Sequence, residues 1–251
     1  MNFSHIYVEQ KALNFPLTKN ILEKQKDAII IEIKNYKDVF NRPKQDFQFQ
    51  KKSPKLILAK KEENFLYKGS GLTPDFGNSD FYYNSLIYNC AYNCDYCYLQ
   101  GMYQSAYITV FVNVDDYFSA VEEKLREGDL YLSASYDTDL LAFEKFIPFT
   151  SMWIEFARKN PKLLVEIRTK SSNFGAISGI PAAKNIILAW TLSPDLIVKK
   201  HEKKTPTLIR RLESAKRAIE SDWNVRLCFD PVIAVKDYQK LYREMFQTVF
   251  S

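Results

Sequence analysis

The chain has 251 residues, 46% of them apolar and 15% aromatic, enough to bury one large core or one core with a small partner domain. A formal net charge of +5 permits a polyanionic partner without demanding one. No apolar run approaches the roughly 18 residues of a membrane span, and Met1-Asn2-Phe3-Ser4-His5 lacks the basic-then-apolar order of a signal peptide, so a soluble, cytoplasmic protein with no membrane partner is expected.

Residues 1–80 mix short apolar runs, such as Ala28-Ile29-Ile30-Ile31, with basic stretches at Lys51-Lys52 and Lys60-Lys61. The stretch 68–79 carries three glycines, a proline and an asparagine, the composition of a loop or boundary. This first part reads as a small, irregular N-terminal lobe. From residue 81 to 251 strand-like and helix-like segments alternate. Apolar, β-branched or aromatic runs at 81–89, 130–135, 163–169, 185–192 and 225–233 predict strands. Between them, Phe118, Val121 and Leu125 keep helical spacing over 115–126, with Asp115 as N-cap and Gly128 as stop. Leu208, Leu212, Ala215 and Ile219 do the same over 206–221, with Pro206 in the first turn. Repeated strand–helix alternation predicts an α/β domain with a parallel sheet, open or partly closed as a barrel. A last helix over 237–249, with Tyr238, Leu241, Met245 and Val249 on one face, meets no further strand, so the domain is expected to be incomplete at its C-terminal end.

Three of the four cysteines fall within eight residues, in Cys90-Ala91-Tyr92-Asn93-Cys94-Asp95-Tyr96-Cys97. Secreted disulfide proteins spread their cysteines to staple distant loops, whereas clustering in a reducing compartment points to metal ligation. Three thiolates satisfy three irons of a cubane and leave the fourth open to an exogenous ligand. Structural zinc needs a fourth protein ligand, for which only Cys228, His5 and His201 remain. Thiolate softness therefore favours iron–sulfur.

This spacing after the first strand of the alternating region resembles the radical S-adenosylmethionine superfamily. Cys94-Asp95-Tyr96-Cys97-Tyr98-Leu99-Gln100 is similar to the cluster loop of the spore photoproduct lyase family within it. The resemblance extends through Tyr7-Val8-Glu9, Ala12-Leu13, Phe15-Pro16-Leu17, Tyr107-Ile108 and Val112-Asn113-Val114 to Arg168-Thr169-Lys170, Glu202, Thr205 and Arg211. It implies a partial (β/α)6-type parallel barrel with about five strands present. It further implies a 4Fe–4S cluster on Cys90, Cys94 and Cys97 that cleaves S-adenosyl-L-methionine to a 5′-deoxyadenosyl radical. In the family that radical takes hydrogen from the thymine dimer 5-thyminyl-5,6-dihydrothymine, and two thymines are restored.

By the same resemblance Tyr96, Thr138, Lys170, Thr191 and Asp230 contact the cofactor, and Tyr98 and Tyr96 are catalytic, Tyr98 in hydrogen return. The family's donor cysteine after the second strand is absent: in Leu132-Ser133-Ala134-Ser135-Tyr136-Asp137-Thr138-Asp139 its place falls on Tyr136. Cys228 is expected in the core. The implied partners are DNA containing thymine dimers and a reductant such as flavodoxin or ferredoxin. Lys199-Lys200, Lys203-Lys204 and Arg210-Arg211 form the densest basic stretch for phosphate contact. Family segments that close the barrel and engage the lesion lie beyond the last residue, so repair by the chain as written is expected to be weak. The other readings are a radical enzyme of the same family with another substrate, and a truncated, inactive, cluster-containing nucleic-acid-binding protein.

Overall fold

The structure is a computed structural model and describes all residues except Leu72, Pro74, Ser79 and Ser135. The first elements are β1 (His5–Glu9), α1 (Pro16–Glu23), β2 (Ile29–Ile33), α2 (Lys37–Phe40), α3 (Phe47–Lys52), β3 (Leu56–Ala59) and β4 (Tyr67–Lys68). Then come β5 (Phe81–Tyr83), β6 (Ile87–Tyr88), β7 (Asn93–Cys94), α4 (Leu99–Met102), β8 (Ile108–Phe111), α5 (Val114–Leu125) and β9 (Leu130–Ser133). The remainder are α6 (Leu140–Phe143), α7 (Phe149–Lys159), β10 (Leu163–Thr169), β11 (Ile186–Thr191), α8 (Asp195–His201), β12 (Glu202–Lys203), α9 (Leu208–Glu220), β13 (Asn224–Cys228) and α10 (Tyr238–Phe250). No helix among the described residues is long and apolar enough to cross a membrane.

The chain divides into two compact units, one of residues 1–91 with 97–138 and one of residues 92–96 with 139–251. In the first, β1 pairs in parallel with β2 and β3, β3 pairs in parallel with β8, and β6 closes the sheet antiparallel to β8. The segment 1–80 is thus regular, not irregular as its composition suggested. Its strands are short, and β2 leaves Ile29 and Ile30 exposed at the sheet edge, so the apolar pattern there is weak. Ile6, Val8, Leu56, Ile57, Leu58, Val110 and Phe111 form the buried interior of this sheet. The run 81–89 splits after Tyr83: β5 pairs in parallel with β9, while β6 joins β8. The polar pair Asn84-Ser85 and the left-handed Asn89 (φ 67°) mark the break and the end.

The helix expected over 115–126 begins at Val114, with Asn113 rather than Asp115 at the cap position. Asn113 is occupied elsewhere: its Oδ1 accepts from the Lys61 backbone N–H at 2.8 Å, and its Nδ2 donates to the Lys61 carbonyl at 2.8 Å. This clasp holds Lys61, 7% exposed, with its ammonium donating to Tyr88 Oη at 2.7 Å and Tyr67 Oη at 3.1 Å. The rings of Tyr67, Tyr88 and Phe111 lie 5.0–5.5 Å from the Lys61 nitrogen. Burial lowers the Lys61 pKa from 10.5 to about 8, against the pull of Asp137 and Glu63 and helped by Lys37. Between those values the unfolded chain binds the extra proton, so Lys61 contributes stability that rises with pH above about 8. After discounting for partial solvation, about 1–2 kcal/mol is expected by pH ~10. Urea unfolding of parent and Lys61→Met should therefore diverge in slope against pH in that window; parallel curves would show the lysine to be unperturbed.

In the second unit β10, β11 and β13 form a parallel sheet, and short β7 pairs antiparallel with β12, Glu202 standing opposite Cys94. Val165, Ile167, Ile186, Leu188 and Trp190 are buried on it, and α7 and α9 pack their apolar faces against its strands. The predicted helices over 206–221 and 237–249 appear as α9 and α10. Thr207 is the N-cap of α9, its side chain accepting from the Arg210 backbone N–H, so Pro206 precedes the helix instead of standing in its first turn. Both units are α/β with parallel strands; the alternation predicts this from residue 81 onward but not for residues 1–80.

Candidate functional site

In the second unit the site is built around Glu202, which is 1% exposed. Tyr96 Oη and Ser193 Oγ (2.9 Å) donate to its Oε1, and the Arg211 guanidinium donates to its Oε2. Arg211 is fully buried and spends its remaining donors on the Thr191 carbonyl (3.0 Å), the Pro206 carbonyl (3.0 Å) and Thr205 Oγ1 (2.7 Å). Burial alone would raise the Glu202 carboxyl, but Arg211, Lys170 and the hydrogen bonds outweigh it and hold it below the usual carboxylate range. The same carboxylate, added to burial, pushes the Tyr96 phenol well above its ordinary value. Lys170 Nζ lies 5.7 Å from the centre of the Tyr96 ring. The end of β10 is held by Asp139, which accepts from Thr169 Oγ1 and from the Lys170 backbone N–H, both at 2.7 Å.

Tyr96, Lys170 and Thr191 are therefore brought together through Glu202 and Arg211. Asp230 is exposed, its carboxylate paired with Arg168 at 2.9 Å. Cys228 is 5% exposed, as expected of a core residue, and burial pushes its thiol up to about 11. One expectation fails. Arg211, read as part of a phosphate-binding basic stretch, is enclosed with Glu202 and presents nothing to solvent. Of the remaining stretch Lys199, Lys200, Lys203, Lys204 and Arg210 are exposed, Lys203 bonding Asp95 at 2.8 Å.

In the first unit Tyr98 is half exposed, but its hydroxyl donates to Asp137 Oδ1 at 2.7 Å. Tyr136, at the place of the family's donor, stacks on Tyr83 with ring centroids 4.1 Å apart. Thr138 Oγ1 is buried and has no hydrogen-bond partner among the described residues. Asp137 was missed by sequence reasoning, because nothing linear links it to a tyrosine 39 positions earlier.

All four cysteines stand outside disulfides; Cys94 is buried, and Cys90 and Cys97 are partly exposed. The Cys90 carbonyl accepts from Lys51 Nζ at 2.6 Å. No three His, Cys, Asp or Glu side chains among the described residues gather where one metal ion could bind. A cubane takes each thiolate at its own iron corner, so three thiols that do not converge on a single ion are compatible with it. Three thiols in one short loop, none of them in a disulfide, suit by their chemistry an iron–sulfur cluster.

The spore photoproduct lyase family profile matches residues 2–251. The spore photoproduct lyase of Clostridium acetobutylicum is 22% identical over 98% of this chain and 73% of its own length. That of Bacillus subtilis is 21% identical over 96% and 71%. A solved spore photoproduct lyase complexed with dinucleoside spore photoproduct superposes with a TM-score of 0.86, at 20% identity, over 98% of this chain and 73% of that one. A variant of such an enzyme with bound AdoMet and dinucleoside spore photoproduct superposes equally well, at 0.86. The chain belongs to the spore photoproduct lyase family, within the radical S-adenosylmethionine enzymes.

Proposed function

We propose that the chain holds a 4Fe–4S cluster on Cys90, Cys94 and Cys97, binds S-adenosyl-L-methionine at the open iron, and reverses 5-thyminyl-5,6-dihydrothymine in DNA to two thymines. The observation that carries this reading is the three-thiol loop within a chain matched by the family profile over residues 2–251. When bound, the cluster and S-adenosyl-L-methionine supply a 5′-deoxyadenosyl radical able to take hydrogen from the dimer.

The chain's own residues orient and enclose. Lys170, fixed at its backbone by Asp139, offers an ammonium to the cofactor carboxylate. Tyr96, clamped through its hydroxyl, offers its backbone to the adenine. Thr138 offers a buried hydroxyl with no hydrogen-bond partner among the described residues, and Thr191 a second hydroxyl. Asp230, whose side chain is given to Arg168, would contribute through its backbone. A partial (β/α)6-type barrel is the expected frame, with these residues at strand ends, where parallel barrels place their chemistry. Exposed Lys199 and Lys200 suit DNA phosphates, and flavodoxin or ferredoxin suits the electron supply.

The test is product analysis on dinucleoside spore photoproduct and on irradiated DNA, with anaerobically reconstituted, reduced protein. Thymine formed in step with 5′-deoxyadenosine supports the reading. Deoxyadenosine without thymine favours a second reading, a radical enzyme of the same family with another substrate, for which Tyr136 in the donor position speaks.

A further inference from the structure

Asp137 is 4% exposed, yet among the described residues its carboxylate is held by hydroxyls. Tyr98 Oη donates to Oδ1 at 2.7 Å, while Tyr103 Oη (3.1 Å) and Ser85 Oγ donate to Oδ2. Tyr103 is immobilised, its ring 5.3 Å from Phe40 and 5.0 Å from Tyr88, centre to centre. One carboxylate thus joins two phenols, one beside the last cysteine of the loop and the other fixed against the core.

We propose that Asp137 bridges Tyr98 and Tyr103 into a hydrogen relay, in which Tyr103 refills Tyr98 after Tyr98 has given its hydrogen to the product radical. This rests on the reading that Tyr98 takes part in hydrogen return. The Tyr98 O–H bond breaks as the product C–H bond forms, leaving a Tyr98 phenoxyl radical. An electron passes from Tyr103 to Tyr98. The Tyr103 proton moves to Asp137, and the carboxyl group gives a proton to the Tyr98 oxygen. Tyr98 is then a phenol, Tyr103 a phenoxyl, and Asp137 again a carboxylate. Exchange between two phenols is close to thermoneutral; the reverse exchange returns the hole to Tyr98, whose phenoxyl then takes back from 5′-deoxyadenosine the hydrogen first removed from the dimer, so no outside oxidant or reductant is needed. An ordinary phenol keeps its hydrogen at neutral pH, so both oxygens start the exchange as hydroxyls. In this scheme Asp137 is a positioning residue.

The bridge is testable in the protein without cofactors, from the NMR resonances of labelled tyrosine ring carbons at neutral pH, assigned with Tyr98→Phe and Tyr103→Phe. Asp137→Asn should shift the resonances of both Tyr98 and Tyr103, because both hydroxyls lose the same acceptor. A response from only one of them, or from neither, overturns the bridge. In the loaded, reduced enzyme on dinucleoside spore photoproduct, Tyr103→Phe should raise several-fold the share of by-products in which the reductant traps the product radical. Parent-like products from Tyr103→Phe alongside disturbed products from Tyr98→Phe overturn the relay alone. Parent-like products from Tyr98→Phe overturn the reading beneath it.

Discussion

Replacing Cys94 with alanine is expected to abolish iron–sulfur binding and reduce 5′-deoxyadenosine release to background, while leaving the protein folded. A cubane held by three protein thiolates has no spare ligand, so two cannot retain it with one corner open in the required place. Cys94 sits on β7, whose pairing with β12 runs through backbone, and alanine fits that backbone without strain. The cost of the lost sulfur is about 1 kcal/mol, a minor fraction of the stability of a chain this size. Cys228→Ala is the control. It removes a buried thiol from another part of the same unit, and iron content should be unchanged. Equal iron loss from both variants would mean that folding, rather than ligation, was lost.

The second large effect concerns Arg211. Its guanidinium and the Glu202 carboxylate are both fully enclosed, so Arg211→Met leaves a buried anion whose main counter-charge is gone. Breaking such a pair from one side costs about 3–5 kcal/mol. For a domain of this size that is a fall in Tm of roughly 6–20 °C. Glu202 is also the partner of Tyr96 and stands opposite Cys94 in the β7–β12 pairing, so the same variant should hold its cluster less well. The double variant Arg211→Met with Glu202→Leu removes both charges and should recover much of the loss, because no uncompensated ion remains. Thermal melts of the three variants decide this. A double variant whose loss equals the sum of the singles would show that the two residues act independently.

How much of this was legible in the sequence depended on the range of the interaction. The cysteine loop is local, so its spacing, and the family it resembles, could be read directly from the sequence. The helices α5, α9 and α10 were legible because each keeps an apolar face, with Val121, Ala215 and Met245 buried, although Ile219, at the end of the α9 face, is exposed. The first eighty residues were not. Leu56–Ala59 is a fully buried strand only four residues long, between lysines, and periodicity cannot be read from so short a run. Arg211 was read with its basic neighbours because a linear charge count does not see Glu202 folding back across nine residues. Asp137 was invisible for the same reason. Its three donors lie 52, 39 and 34 positions away, and only the fold joins them.

The measurement that bears most directly on the central claim is metal and sulfide analysis of anaerobically reconstituted protein, with quantitation of 5′-deoxyadenosine after reduction in the presence of S-adenosyl-L-methionine. The account predicts iron and sulfide in the proportions of one cubane per chain and deoxyadenosine released only when Cys90, Cys94 and Cys97 are all present. Zinc at the loop, or a full iron–sulfur cluster that yields no deoxyadenosine, would contradict it.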